Sequence, residues 1–405
     1  MPLKQSVNAR NSEASVSDTN SMRRQFGGGD ARLNILQIVP ALELGGVETY
    51  VCRLARGLIE RGHRVSILTH GGMLEKLLPP EACLIRAPDR SLARMLPKVA
   101  NERFDIVNAH NYEPGARFAL ALSRRTGSPY LMTVHGPRSF LFRARFRSWS
   151  RRVLVLSEGD RDNVSSSPGM DSDRLSLSFY GIDTDRFRPG IDSAELRSDF
   201  GISAGVPVVV HVSRFSHRKA LVVRALLDAF PRLSELQPDL VALIVGGGPL
   251  LARVQERAEA INQRLGRCAV IVSPPCLAIP EIMNMATVVV ATANTAMEAI
   301  SCGAPTIAAG RTGYFGLVTP DNFEDARSLC FADHGRSPHL VRSEPLELDL
   351  RMVLQNPSRQ AKSAGICRSL IEMRYSVSRM AEDVERVYRE VIWSERSMAE
   401  SQGTV

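Results

Sequence analysis

Several side chains in the second half of the chain have the types and spacing to handle a phosphorylated ligand. Arg214 follows the apolar run Pro207–Ser213, and Lys219 opens the helical stretch after it. A guanidinium fork and an ammonium point charge at one turn suit a diphosphate. Lys219 conflicts with the dipole at a helix N-terminus, and a bound anion would remove that conflict. The alternative is a solvated basic turn of Arg214, His217, Arg218 and Lys219. Further on, NTAMEAISCGAPTI (Asn294–Ile307) follows the apolar run Val288–Ala291. A helix opening at Asn294 or Thr295 turns backbone N–H groups toward a phosphate. One turn in, Glu298 suits the paired hydroxyls of a ribose.

The first half adds groups of another kind. Gly45 and Gly46 precede a helix that begins Val47-Glu48 and carries Val47, Val51, Leu54 and Leu58 on one face. Two glycines there let a ligand approach bare backbone, although an ordinary tight turn reads the same way. The same holds for Gly246-Gly247-Gly248 after the run Leu240–Val245. His110 and His135 each end an apolar run, Asp105–His110 and Tyr130–His135. A histidine at a strand end can donate to a hydroxyl or accept a proton, and two at equivalent ends favour a site over a structural role.

These residues need a frame that brings strand ends together. Strand-like runs Leu33–Pro40, Arg64–His70, Cys83–Ala87, Asp105–His110, Tyr130–His135 and Val153–Ser157 alternate with amphipathic helical stretches. The alternation restarts with Pro207–Ser213, Leu240–Val245, Ala269–Ser273, Thr287–Ala291 and Pro305–Ala309. Such alternation predicts parallel sheets covered on both faces. The expected fold class is α/β, with two Rossmann-like doubly wound domains facing across a cleft at their strand carboxyl ends. The polar stretch Gly181–Ser203 is the natural linker. The expected organisation is a disordered extension over 1–31, with Met22 as an alternative start, then domains over 32–188 and 189–375. A helix over 376–393 and a flexible tail over 394–405 complete it. That last helix aligns Met380, Val384, Val387, Tyr388 and Val391 on one face, which must pack on something.

Composition narrows the class. The 405 residues are 44% hydrophobic and 23% charged, as in globular proteins, and suffice for two large domains. No run approaches the roughly 18 to 20 apolar residues of a membrane span. The polar first residues lack the apolar centre of a signal peptide. Seven scattered cysteines without metal-type spacing fit free thiols in a reducing compartment, so the expected location is cytoplasmic. A net charge of +8 favours anionic ligands.

In this order the motifs GGVE (Gly45–Glu48), VNAHN (Val107–Asn111), TVHG (Thr133–Gly136), YGIDTDRFRP (Tyr180–Pro189), VSRFSHRKA (Val212–Ala220), VGGGP (Val245–Pro249) and MEAISCGAPTI (Met297–Ile307) resemble the GT-B glycosyltransferases of family 4, the group 1 glycosyltransferases. The resemblance covers nearly the whole chain past the extension, and the final helix resembles one that crosses back onto the first domain. It implies transfer of a sugar from a UDP- or GDP-linked donor to a glycan or lipid-linked acceptor, retaining, without a metal or other cofactor, in bacterial polysaccharide or envelope biosynthesis. Carried over, His135 contacts the transferred sugar and assists the reaction. Arg214 and Lys219 neutralise the leaving diphosphate. Gly45, Gly46, Gly247, Asn294, Thr295 and Glu298 line the donor, and Glu48, His110 and Asn111 face the acceptor.

One departure stands out. Glu298 matches the second acid of the family's Glu-x7-Glu signature, but the first acid's place holds Val290. Thr292, Asn294 and Thr295 could replace it as neutral sugar contacts, or serve as a plain helix cap. Gly310, Arg311 and the glycines after them read as a loop near the same cleft. Separately, residues 140–152 (FLFRARFRSWSRR) interleave aromatics with arginines. They read equally as a helix on the anionic inner face of a membrane or as a surface helix with solvated arginines. No nucleic-acid module is recognised. The alternatives to a transferase are a non-catalytic nucleotide-sugar binder and a nucleotide-sugar epimerase.

Overall fold

The computed structural model describes residues 31–88, 91–110, 114–136, 152–166, 170–216, 220–334 and 337–402. The extension over 1–30, Asn111, Lys219 and all of 140–152 except Arg152 lie outside the described residues.

Two sheets form the frame. The first has the order β3-β2-β1-β4-β5-β6-β7. Its strands are β1 (Asn34–Ile38), β2 (Arg64–Thr69), β3 (Cys83–Arg86), β4 (Ile106–His110), β5 (Tyr130–Val134), β6 (Val153–Val155) and β7 (Leu175–Leu177), all parallel. The second runs β10-β9-β8-β11-β12-β13. It comprises β8 (Val208–Arg214), β9 (Val241–Gly247), β10 (Val270–Ser273), β11 (Val288–Ala291), β12 (Thr306–Gly310) and β13 (Gly313–Leu317). Apolar runs such as Val288–Ala291 are buried throughout, as strands covered on both faces require. In each sheet the order reverses between the first strand and the fourth, β1/β4 and β8/β11. Crevices open at the carboxyl ends of such pairs. His110, Arg214 and Thr292 all fall there.

Two strands differ from the sequence reading. β7 is only Leu-Ser-Leu, too short to carry a periodicity. β13 stands where a glycine-rich loop was expected; it pairs antiparallel with β12 and registers past a bulge between Ala308 and Ala309. Gly313 belongs to the strand because at φ +144° a Cβ would lie 2.3 Å from the His339 carbonyl oxygen.

Helix α1 (Gly46–Glu60) follows β1 and buries Tyr50, Val51, Leu54 and Leu58. The last helix, designated α5 (Val377–Gln402), extends past the expected end at 393 into the residues expected as a flexible tail. Its apolar face ends at Ile392, but Glu395, Arg396, Met398 and Ala399 remain good helix formers. α5 lies against α1, and Gly57 permits the approach: a Cβ there would be 2.7 Å from Ala381 Cβ. Arg389 on α5 donates to the Ala31 carbonyl at 3.1 Å, and Glu385 is 3.2 Å from His63. The chain leaves the first domain and returns to it side by side, where Ile182 N donates to the Tyr375 carbonyl at 2.6 Å. Between α1 and α5 the helices needed here are α2 (Glu158–Ser165), α3 (Ala220–Leu236) and α4 (Ala293–Ser301).

Candidate active site

His135 follows β5 and is half-buried, ringed by aromatic side chains. Tyr50 meets it edge-on with centroids 4.9 Å apart, and Tyr180 lies at 6.4 Å. Behind it His135 Nε2 is 3.1 Å from His110 Nδ1, and His110 Nε2 is 2.5 Å from Gln37 Oε1. His110 is fully buried, so it backs His135 and has no acceptor-facing surface. The strand-end position was correct, but β4 is central and its last side chain points into the domain. Burial pushes the His110 imidazole down to about 3, so it is neutral. Gln37 and Asn108, the polar residues inside buried β1 and β4, both donate to Tyr388 Oη of α5 at 2.8 Å. A glutamine in the middle of NILQI was the available sequence signal for this network.

Across the cleft the β11–α4 turn is tight. Thr292 is extended, and Ala293 takes φ +51°, a left-handed value that costs a non-glycine residue roughly 1–2 kcal/mol. The helix begins at Ala293, one residue ahead of the expected start. Thr292 holds the cap position without capping: its hydroxyl donates to the Phe331 carbonyl at 2.7 Å and is committed there. Asn294 is buried, with Nδ2 3.4 Å from the Gly46 carbonyl oxygen, so the turn meets the exposed Gly45-Gly46 turn of the first domain. Asn294 Oδ1 is buried without a hydrogen-bond partner among the described residues. Thr295 is half-buried next to it.

Glu298 is buried and forms an ion pair with Arg53 of α1, a residue the sequence reading missed. Arg53 also donates to the Gly181 carbonyl at 3.2 Å and stacks on Phe187 at 5.3 Å. Arg214 ends β8, exposed, and its charge acts on Glu48 of α1. Burial raises the Glu48 carboxyl and Arg214 opposes that rise. The three glycines that end β9 and follow it have a packing reason of their own. A Cβ at Gly246 would lie 1.9 Å from the Ser213 carbonyl oxygen, and one at Gly247 would lie 3.2 Å from Pro275.

A second group reaches the cleft from residues that sequence periodicity did not single out. Cys330, Phe331 and Ala332 all have positive φ, +46°, +49° and +67°. Their carbonyls accept from Ala293 N, Thr292 Oγ1 and Thr312 N, which fastens this strained segment to the ends of β11 and β12. It delivers His334 against the first domain. His334 Nδ1 lies 2.7 Å from Ser157 Oγ and 3.0 Å from Asp160 Oδ2, at the start of α2. Asp160 also accepts from Gly136 N at 3.2 Å. A Cβ on Gly136 would be 3.3 Å from His334 Nε2 and 3.4 Å from Arg311. Burial alone would lower the His334 pKa. The Cys330 sulfur and Asp160 outweigh it, and the pKa is raised well above the usual imidazole value. Burial raises Cys330 itself, so it is a neutral thiol near pH 7 and Asp160 supplies the charge.

The geometry therefore brings Gly46, Glu48, Arg214, Asn294 and Glu298 to α1 of the first domain, with His135 beside Tyr50 of the same helix. The Glycosyltransferase Family 4 pattern matches residues 44–186, and the Glycosyl transferases group 1 pattern matches residues 192–329. The chain belongs to the family 4, group 1 glycosyltransferases. Its fold is the two-domain GT-B fold. The D-inositol 3-phosphate glycosyltransferase of Acidothermus cellulolyticus is 27% identical over 340 residues, 70% of this chain and 74% of that protein. One subunit of the human phosphatidylinositol N-acetylglucosaminyltransferase is 23% identical over 385 residues, 86% of this chain and 74% of that protein. Among solved structures, HepE of Anabaena in complex with UDP and glucose has a TM-score of 0.69 at 19% identity, covering 88% of this chain and 99% of that one. No helix among the described residues is long and apolar enough to cross a membrane.

Proposed function

We propose that this glycosyltransferase moves a sugar from a UDP- or GDP-linked donor to a hydroxyl of a glycan or lipid-linked acceptor. The anomeric configuration is retained, no metal takes part, and the work belongs to bacterial polysaccharide or envelope assembly at the cytoplasmic face of the membrane. The bond between the anomeric carbon and the diphosphate oxygen breaks, and its electron pair leaves with the diphosphate. The acceptor oxygen forms the new bond and gives up its proton, which the departing diphosphate takes. Negative charge grows on the diphosphate in the transition state, so fixed cations there stabilise it more than the ground state. Arg214 and Lys219 are assigned that role. Gly45, Gly46 and Gly247 face the donor, Glu298 and Thr295 hold the ribose end, and His135 touches the transferred sugar.

The observation that carries this reading is the meeting of Asn294 with Gly46. A buried, unsatisfied amide oxygen costs free energy that a ligand N–H or O–H would recover. Because the Thr292 hydroxyl is committed to Phe331, Asn294 and Thr295 are the neutral replacements for the missing acid. Glu48 and Asn111 are assigned to the acceptor side. The names of the relatives support an inositol-type or lipid-linked hydroxyl as acceptor, and the UDP complex of HepE supports a UDP donor.

The test of the site uses Lys219→Ala and Glu298→Ala with UDP-, GDP- and ADP-sugars. Each substitution should reduce donor turnover on the order of a hundredfold. Full activity in both would reject the assignment. The anomeric coupling constant of the product, measured by NMR, decides retention against inversion.

A further inference from the structure

We propose that Arg53, on helix α1 of the first domain, positions Glu298 for the ribose of the nucleotide: it occupies Oε1 and leaves Oε2 for the ribose hydroxyls. The inference deepens the proposed function, since it rests on Glu298 holding the ribose end. Arg53 acts through Glu298 and is a positioning residue.

Two helices meet face to face where the domains touch. Asn294 and Glu298 stand one turn apart on α4 and share a face. Gly46 and Arg53 stand two turns apart on α1 and share another. The two faces are in step: Asn294 Nδ2 lies 3.4 Å from the Gly46 carbonyl oxygen, and Arg53 Nη2 pairs with Glu298 Oε1. Both side chains of that pair are buried. Arg53 is also held from two other sides. Its Nη1 donates to the Gly181 carbonyl at 3.2 Å, and its guanidinium lies 5.3 Å from the Phe187 ring centroid. Phe187 is fixed in turn to the end of α4, because its carbonyl accepts from Ser301 Oγ at 2.6 Å.

The consequence is chemical. A carboxylate with one oxygen fixed keeps a single orientation, and its second oxygen can accept from hydroxyls without reorganising. Without Arg53, Glu298 loses its partner in a site where an unpaired charge is costly. Arg186 is the competing cation. Its guanidinium lies 5.4 Å from the same Phe187 ring centroid, and its pKa is lowered by burial and by the like charge of Arg53, with Glu298 opposing. Removing Arg53 therefore turns Glu298 toward Arg186 and away from the ribose. A lysine cannot fully replace Arg53, because only the planar fork serves Glu298 and Gly181 together while stacking on Phe187.

The experiment is calorimetric binding of UDP and GDP, and of their 2′,3′-dideoxy forms, to the full chain. Arg53→Met, Arg53→Lys and Glu298→Gln are measured beside it, each below its own onset of unfolding. The unaltered protein should bind at least one of the two diphosphates about tenfold more tightly than its dideoxy form. That preference should fall to within about twofold in Arg53→Met and in Glu298→Gln, and to about threefold in Arg53→Lys. Both Arg53 variants keeping the full preference overturns the proposal, even if they melt earlier or bind both forms more weakly, because that is what a strut between the domains gives. Should Glu298→Gln keep the preference, or the unaltered protein show none or bind neither diphosphate, the ribose assignment fails and the inference falls with it. Binding is read without turnover, so a protein that transfers no sugar fails the transferase reading while the preference still decides this inference.

Discussion

Glu298 carries two demands that pull against each other. As a ribose ligand it should offer an oxygen to the cleft, yet Arg53 already pairs with it in a buried site. The two are compatible because a carboxylate has two oxygens and the pairing uses Oε1. Glu298→Gln keeps the shape and removes the charge, leaving Arg53 uncompensated. We expect a loss of about 3–5 kcal/mol in stability, read by chemical denaturation, together with a roughly tenfold rise in nucleotide-sugar KM. A stability loss with unchanged KM would reduce Glu298 to a strut between the domains. Sequence reasoning singled out Arg214 and His135 because each lies at or just past a strand end, and Glu298 because it lies in the helix that follows β11. Arg53 escaped because it lies two turns into an amphipathic helix and its partner is 245 residues away. His110 was identified but oriented wrongly, since sequence gives a strand's end but not which way its last side chain points.

Elements were more legible than residues. Each predicted strand appears within a few positions, because a buried parallel strand is a short apolar run and little else imitates it. β13 was invisible for the opposite reason: its glycines serve close backbone contact inside a strand, while glycines in sequence usually signal a loop. The contact of α1 with α5 yields a sharper expectation. Gly57→Ala would place a methyl 2.7 Å from Ala381 Cβ and 3.0 Å from Val377, so it should cost about 1–3 kcal/mol. Gly365, in the helix Pro357–Arg374, has nothing within 4 Å of an added Cβ. Gly365→Ala should instead stabilise by about 1 kcal/mol. Thermal unfolding of the two variants checks both signs, and a stabilising Gly57→Ala would contradict the packing. The β11–α4 turn is strained at Ala293, φ +51°. Ala293→Val should therefore cost about 2 kcal/mol.

At the scale of the whole molecule, two domains are held together by paired groups at the cleft: Arg53 with Glu298, Arg327 with Glu158 at 2.8 Å, and His334 with Ser157 and Asp160. The His334 pair gives the closure a pH dependence. Its folded pKa is raised well above the unfolded value near 6.5. The contribution is then fully present below about pH 6.5 and is lost as pH rises through the folded pKa. Asp160, Asp333 and the neutral Cys330 thiol are the titratable groups facing it. Melting temperature should fall from pH 6 to pH 9, and the fall should be smaller in His334→Gln. Equal slopes would remove His334 as the cause. The two-domain frame was readable from alternating strands and helices. The strained carrier of His334 was not, because nothing in Cys330-Phe331-Ala332 as a sequence announces three left-handed residues in a row. We propose that this site transfers sugar from a nucleotide donor with the help of His135. Donor turnover over a panel of UDP-, GDP- and ADP-sugars tests it most directly, with the unaltered protein beside His135→Ala. We predict turnover of at least one UDP- or GDP-sugar by the unaltered protein and a loss on the order of a hundredfold in His135→Ala. Nucleotide binding without turnover of any donor, or equal turnover by both proteins, would contradict the account.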